Sequence, residues 1–240
     1  MTMLLAASAA FLFLHFGISG TRLRDVLVRQ MGEGAYLGLY SIASAAGIVW
    51  LAIAYNTALA AGSAPLWEAP KALSHAGLII IGLAFVAGLP GVLMPSPTGV
   101  AQGGIARNPD AVRGVLRITR HPFLWSAALW AAFHLAVNGD EASVVFFGTF
   151  LALSVFGTYS IDAKRARALG ADWQAFAQRT SNIPFAAILG GRQTLNVSEL
   201  LTWRQGLALL VFVGVALTHH LIFGVSPFPG GWVPPFLPGW

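Results

Sequence analysis

Apolar residues run along this chain in long blocks separated by short polar breaks, without the strict alternation that marks a strand. Six blocks can be drawn, at about 3–20, 37–60, 73–94, 122–138, 141–159 and 206–224. Each is near the ~17–25 residues that carry a helix across a bilayer, although the fourth and fifth are short. The pattern predicts an all-α, polytopic integral membrane protein with about six transmembrane helices. Only Gly139, Asp140 and Glu141 separate the fourth block from the fifth, so these two form a tight helical hairpin. Met1–Ser19 has no basic region ahead of its apolar run, and its A-x-A pattern precedes that run, so it reads as a retained first span.

Composition agrees with the pattern. The chain is 56% hydrophobic and 10% charged, against about 25% charged residues in an ordinary soluble domain. The alternating ten-residue segments of a membrane barrel are not visible. There is no cysteine, which excludes disulfides, thiolate ligands and thiol nucleophiles. The formal charge of +5 comes with no nucleic-acid motif, so no nucleic-acid partner is expected and the lipid bilayer is the expected one. The first connection holds Arg22, Arg24 and Arg29, and the third holds Arg107, Arg113, Arg117 and Arg120. The fifth holds Lys164, Arg165, Arg167, Arg179, Arg192 and Arg204, the second holds Lys71, and the fourth holds none. Basic residues mark cytoplasmic loops, so connections one, three and five are expected inside and both termini outside, in the periplasm of a bacterium.

The connections differ in character. Residues 96–112 form a Gly/Pro-rich loop after Pro90, Pro95 and Pro97, and residues 160–180 read as a charged helix broken at Gly170. Residues 1–225 make the expected membrane domain. Residues 226–240 make a Pro/Gly/Trp-rich tail suited to the outer interface, where tryptophan anchors well.

Histidines carry the candidate chemistry. His15, His134, His219 and His220 interrupt or edge apolar blocks, and an ionisable side chain in lipid marks a functional site by default. Without cysteine, imidazole is the main soft ligand for a transition metal or a heme. Counted by helical rise, depth pairs His75 with His134 or His219, and His15 with His121. The structural alternative for each is a histidine bonded to a backbone carbonyl between helices. Two polar stretches stand beside the blocks. In Arg117-Ile-Thr-Arg-His-Pro122 the proline suits a first helical turn, which gathers Arg117, Arg120 and His121 at a helix start. Such a cluster fits an anion such as a phosphate or a heme propionate, or else a lipid-headgroup anchor. The second stretch, Arg179–Gln193, combines polar residues, Pro184 and Gly190-Gly191, as an interfacial or re-entrant segment does.

RITRHP, the His134 thirteen residues after His121, RTSNIPFAAILGGRQ and the opening His15-Phe-Gly-Ile-Ser-Gly-Thr-Arg-Leu-Arg-Asp25 together resemble the NnrU family. They are also similar to plant and cyanobacterial zeta-carotene isomerase. The likeness spans roughly residues 10–200. It implies a bacterial inner-membrane protein supporting denitrification, that is nitric oxide and nitrite metabolism, through a redox, sensing or maturation role. It also implies heme b with His15 and His134 as axial ligands, because these match the isomerase's ligand positions. Arg117, Arg120 and His121 join them as candidate cofactor-binding residues, and His75 and His219 are alternate ligands. The isomerase's switching cysteine would fall at Ala131, a departure that weighs against polyene isomerisation and leaves heme binding intact. The depth reading places His15 and His134 about 10 Å apart along the membrane normal, a gap that tilt or short spans can absorb. Respiratory nitrite or nitric oxide reductases, or a hydrophobic polyene, are the implied partners. The alternatives are a heme-dependent cis–trans isomerase of a polyene and a cofactor-free assembly factor for respiratory reductases. A weaker likeness to membrane methyltransferases of the isoprenylcysteine type lacks one acid of a glutamate pair, since Ile161 and Asp162 stand there.

The basic residues generate a topological prediction. Reporter fusions after Asp140 and after Gly170 should read outside and inside respectively, and the opposite pattern would overturn the span assignment.

Overall fold

The computed structural model describes residues 1–233 and 235. Among the described residues nine α-helices follow in order: α1 (Thr2–Leu12), α2 (Leu23–Met31), α3 (Glu33–Ala60), α4 (Lys71–Leu93), α5 (Pro122–Val137), α6 (Glu141–Leu169), α7 (Ala171–Gln178), α8 (Ala186–Leu189) and α9 (Trp203–Phe223). Among the described residues there is no strand, only an isolated antiparallel bridge between Pro65 and Asp140. Five helices are long and apolar enough to cross a bilayer, the first being α1 with its continuation to Ser19; α5, at 16 residues, is shorter. The all-helical membrane fold thus stands, with five full-length spans and one short apolar helix. The rest of the tail, Pro234 and residues 236–240, lies outside the described residues, and so does part of the interfacial role expected of it.

Two elements differ from the sequence reading. α1 runs into a π-helical stretch, Phe13–Ser19, that carries His15. Apolar periodicity cannot distinguish i→i+5 from i→i+4 bonding, and π-helical segments collect at functional sites. The charged segment after residue 159 is not a separate helix. It continues α6, whose 29 residues extend about 43 Å and so outrun a hydrocarbon layer of about 30 Å. The break at Gly170 stands as expected, because its φ of 54° suits glycine and ends α6.

α6 organises the bundle. It packs against α1, α3 and α5, while α4 joins α5 to α9. Leu4, Ala7 and Phe11 of α1, Leu51, Ala54 and Ala58 of α3 and Ala142 of α6 form one buried cluster, with Tyr55, Phe146 and Phe150 closing around it. Small residues dominate because close packing, not water, drives helix association in lipid. The outward rows remain uncovered, with Ile42, Ile79 and Leu210 each more than 65% exposed, as lipid-facing side chains should be.

α4 and α5 approach closely because of glycine. A methyl group on Gly91 would lie 2.5 Å from Pro122 Cγ, and one on Gly88 2.7 Å from Ser126 Cβ. At the far end of the hairpin, Asp140 caps α6. It accepts from the Ser143 amide at 3.0 Å and from the hydroxyls of Ser143 at 2.6 Å and Ser63 at 2.8 Å. This cap ties the α3–α4 connection to the α5–α6 turn, helped by Trp67 Nε1 donating to the Ala136 carbonyl at 3.1 Å.

The glycine contacts set a test. Gly91→Ala should destabilise the protein in detergent by about 1–3 kcal/mol, because the ring of Pro122 cannot yield. Gly148→Ala, which meets nothing within 4 Å, should leave the melting temperature unchanged or raise it. Equal melting temperatures for the two variants would contradict the close approach of α4 and α5.

Candidate functional site

The two polar stretches singled out in the sequence lie side by side. The Arg120 amide donates to the Ser181 carbonyl at 2.9 Å, the Phe185 amide to the Ile118 carbonyl at 2.8 Å, and Thr119 Oγ1 to the Asn182 carbonyl at 2.5 Å. Phe185 takes a left-handed φ of 64° where the chain turns into α8. For a bulky side chain this conformation is costly, and it is retained because hydrogen bonds on both sides fix the turn.

Asp162, past the apolar part of α6, is the centre of this end. Arg120 donates to both carboxylate oxygens from Nε, at 2.9 and 3.0 Å, and again from Nη2. His121 Nε2 lies 2.7 Å from Oδ1, and Asn182 Nδ2 donates to Oδ2 at 2.9 Å. The Arg120 guanidinium also sits 5.6 Å from the ring centre of the buried Trp173. His121 is 2% exposed. Burial pushes its imidazole below the ordinary 6.5, against the pull of the Asp162 carboxylate, so it is neutral at pH 7 with its proton on Nε2. Beside this cluster a pocket of about 300 Å³ opens between Tyr159 and Ile183, with Arg120, Asn182 and Arg192 in its wall.

Arg117 belongs to a second pair. It donates from Nε and Nη2 to the two oxygens of Glu199, both at 2.8 Å, and from Nη1 to Gln193 at 2.6 Å. The Gly114 amide completes the set at 2.6 Å. Bidentate geometry of this kind is specific to arginine. The three residues expected to offer charge to an anion thus arrive matched by carboxylates: Arg117 by Glu199, and Arg120 and His121 by Asp162.

The apolar interior holds a different chemistry. His15 Nδ1 lies 2.9 Å from the Phe11 carbonyl and His134 Nδ1 2.8 Å from the Trp130 carbonyl, each one turn back on its own helix. A carbonyl only accepts, so Nδ1 carries the proton and Nε2 presents its lone pair. That is the tautomer a metal ligand needs, held by the bond that commonly orients one. Both rings are half-buried among aromatics. His15 lies 4.5 Å from Phe11 and 5.5 Å from Tyr40. His134 stacks on Phe147 at 5.1 Å and meets Trp130 at a tilt at 5.0 Å. Phe150 touches Phe11 on one side and Trp130 on the other, both at 5.8 Å, so an unbroken run of rings joins the two histidines.

Each histidine lies one turn past its ring neighbour in that run, His15 after Phe11 and His134 after Trp130. His219 bonds the Val225 carbonyl through Nδ1 at 2.8 Å and interacts electrostatically with His134. His75 lies near the start of α4. His121 has spent Nε2 on Asp162, which disfavours it as a partner for His15. Among the described residues no group of three or more His, Cys, Asp or Glu is placed to hold a metal ion. His15, His134 and His219 are the residues that could offer a ring nitrogen to a cofactor.

Sequence reasoning missed Asp162, Asn182 and Glu199 as partners. A signal existed for the first: with nine acidic residues in the chain, a carboxylate where an apolar helix turns basic needs a partner. Glu199 and Asn182 sit in irregular segments where spacing carries no such information.

A bundle of apolar helices, with an imidazole pair inside and a carboxylate-centred clasp at its basic end, defines a polytopic membrane protein with ligand-competent histidines. The chain belongs to the NnrU protein family, whose family model matches residues 3–227. It is similar to the protein named 15-cis-zeta-carotene isomerase, chloroplastic, of Arabidopsis thaliana, 32% identical over 116 residues, which is 47% of this chain and 32% of that one. The protein of the same name in Zea mays is 33% identical over 82 residues, 34% of this chain and 22% of that one. The matched stretches thus span a third or less of those relatives. No solved structure matches the chain.

The Arg117–Glu199 pair generates a pH prediction. Hydrogen bonds from Arg117 hold the Glu199 carboxyl down to about 2, against the opposing effect of burial. The folded value lies below the ordinary 4.5, so the stabilisation is complete above pH 4.5 and fades as the pH falls toward 2. Melting temperature measured against pH should drop across that window in the wild type and drop less in Glu199→Gln. Parallel curves would show that the pair contributes nothing to the fold.

Proposed function

We propose that this protein holds heme b within the bilayer and acts on a hydrophobic polyene as a cis–trans isomerase, in a bacterial inner membrane with its basic end cytoplasmic and both termini periplasmic. The observation that carries the reading is the shared tautomer of His15 and His134, each with Nδ1 tied to a backbone carbonyl and Nε2 presented among aromatic rings. The named activity of the plant relatives supports the substrate class. His134 is the ligand common to both pairings. The resemblance supplies His15 as the second, with His219 as the alternate. A bound heme supplies one-electron chemistry: an electron lent to a conjugated polyene weakens its double bonds enough for rotation and is taken back afterwards, so the isomerisation is redox-neutral.

The residues of the chain do the rest. Phe11, Trp130, Phe147 and Phe150 exclude water and offer flat apolar surface to a conjugated chain. The backbone bonds at Phe11 and Trp130 orient both imidazoles and keep the proton on Nδ1. Arg117, Arg120 and His121 hold the cytoplasmic segments through their carboxylate partners, and this fixes the start of α5 and hence the position of His134.

A second reading has its own support. Ala131 is fully buried one turn before His134 on α5, where the isomerase relatives are expected to carry their switching cysteine. A heme that keeps two histidines has no open position, which suits a redox or nitric oxide-sensing role in denitrification alongside nitrite or nitric oxide reductases.

The experiment is an absorption spectrum of the detergent-purified protein, followed by incubation with a cis-polyene under reducing conditions. The expected result is a Soret band with reduced bands of bis-histidine heme b, lost or grossly altered in His15→Ala and His134→Ala, together with conversion of cis substrate to trans. Heme without conversion would favour the redox reading. No heme in a folded wild type supplied with hemin would overturn both and favour a cofactor-free assembly factor.

A further inference from the structure

Where the first span ends and α6 leaves the apolar layer stand three cations, of which only Arg24 has ion pairs among the described residues. Lys164 is half-buried on α6, and its Nζ donates to the Ser19 carbonyl at 3.0 Å, with Ser19 Oγ at 3.4 Å. It makes no ion pair among the described residues. Arg165, also half-buried, donates from Nη2 to the Gly99 carbonyl. Arg24 lies on α2, which packs against the same π-helical stretch, ending at Ser19, that α6 does. Its own acidic neighbours, Asp25 at 3.6 Å and Glu33 at 3.3 Å, have side chains about 60% exposed and face water. Like charges held together at a half-buried site destabilise one another until an anion joins them.

Two independent features indicate what the anion belongs to. The Arg24 guanidinium lies 5.4 Å from the Tyr36 ring centre, and the buried Tyr36 hydroxyl has no hydrogen-bond partner. α2 is amphipathic, and its Leu23, Val26 and Met31 are uncovered beside Arg24. A short helix with bare apolar residues and inward cations fits the plane of a headgroup layer. We propose that Arg24, Lys164 and Arg165 bind the phosphate of an anionic lipid headgroup, with α2 lying flat in the same leaflet. Arginine binds phosphate through paired donors, and lysine adds a point charge beside it. The site lies at the junction of three segments, α2, the end of the first span and α6, so a bound lipid would brace the π-helical stretch that carries His15.

The test uses the full chain in mixed micelles, with melting temperature and native mass spectrometry as readouts. Phosphatidylglycerol should raise the melting temperature saturably and remain bound as one copy, while phosphatidylcholine should do neither. Lys164→Met and Arg165→Gln should each weaken the apparent affinity roughly tenfold, as loss of one charge-assisted contact implies. Lys164→Arg should keep it. Inorganic phosphate should neither stabilise the protein nor displace the lipid. If it does both, the site takes phosphate from solution and the lipid assignment is overturned. Equal stabilisation by phosphatidylcholine would also overturn the proposal, as would wild-type phosphatidylglycerol affinity in a folded Lys164→Met. Should Lys164→Met fail to fold, Arg165→Gln and the wild-type comparison of the two lipids decide in the same way.

Discussion

One carboxylate fixes the basic end of this molecule. Asp162 sits where α6 emerges from its apolar run and draws Arg120, His121 and Asn182 onto its two oxygens. Those partners come from two further segments, so a single side chain locks the start of α5 and the irregular stretch before α8 to the longest helix in the fold. Removing one partner of such a half-buried cluster leaves the others uncompensated, which costs far more than an exposed ion pair is worth. Arg117 and Glu199 repeat the arrangement one turn upstream and extend it to the segment leading into α9. With the entry of α5 fixed, the glycines of α4 seat against Pro122 and Ser126, and the depth of His134 follows.

The opposite constraint governs the interior. No water reaches the apolar layer, so each polar group there must find a partner within the protein. His15 and His134 meet that demand with their own preceding turns. This is also what a purely structural histidine does, and the distinction lies in the atom left over. Each ring spends only its proton, and the lone pair on Nε2 is left over among aromatic neighbours. His121 is the internal contrast. It faces a carboxylate, spends Nε2, and so serves architecture.

Much of this was legible in the sequence, for identifiable reasons. The spans were readable because lipid demands long uninterrupted apolar runs, and the drawn blocks fall within a few residues of the helices except at the end of α6, which runs ten residues past its apolar block. The hairpin at Gly139-Asp140 was readable from loop length. The π-helical stretch around His15 was not, since its side-chain pattern is that of any apolar helix. The two polar stretches were recognised separately, but their adjacency was hidden: backbone bonds such as Arg120 to Ser181 leave no trace in residue type. The cations of RITRHP were legible as a cluster, whereas their partners sit 42 and 82 residues further along at Asp162 and Glu199. Those partners convert an apparently open anion site into a closed clasp. The ring run that joins His15 to His134 through Phe11, Phe150 and Trp130 was not legible, because contacts between helices leave no trace in spacing.

The central claim is that two imidazoles of this bundle bind one iron through Nε2. Electron paramagnetic resonance of the ferric, hemin-reconstituted protein tests it most directly. The expected spectrum is low-spin with two imidazole ligands, becoming high-spin in His15→Gly or His134→Gly and returning to low-spin on adding free imidazole. A low-spin wild-type spectrum that persists in both variants without added imidazole would contradict the assignment and move the ligands to other histidines.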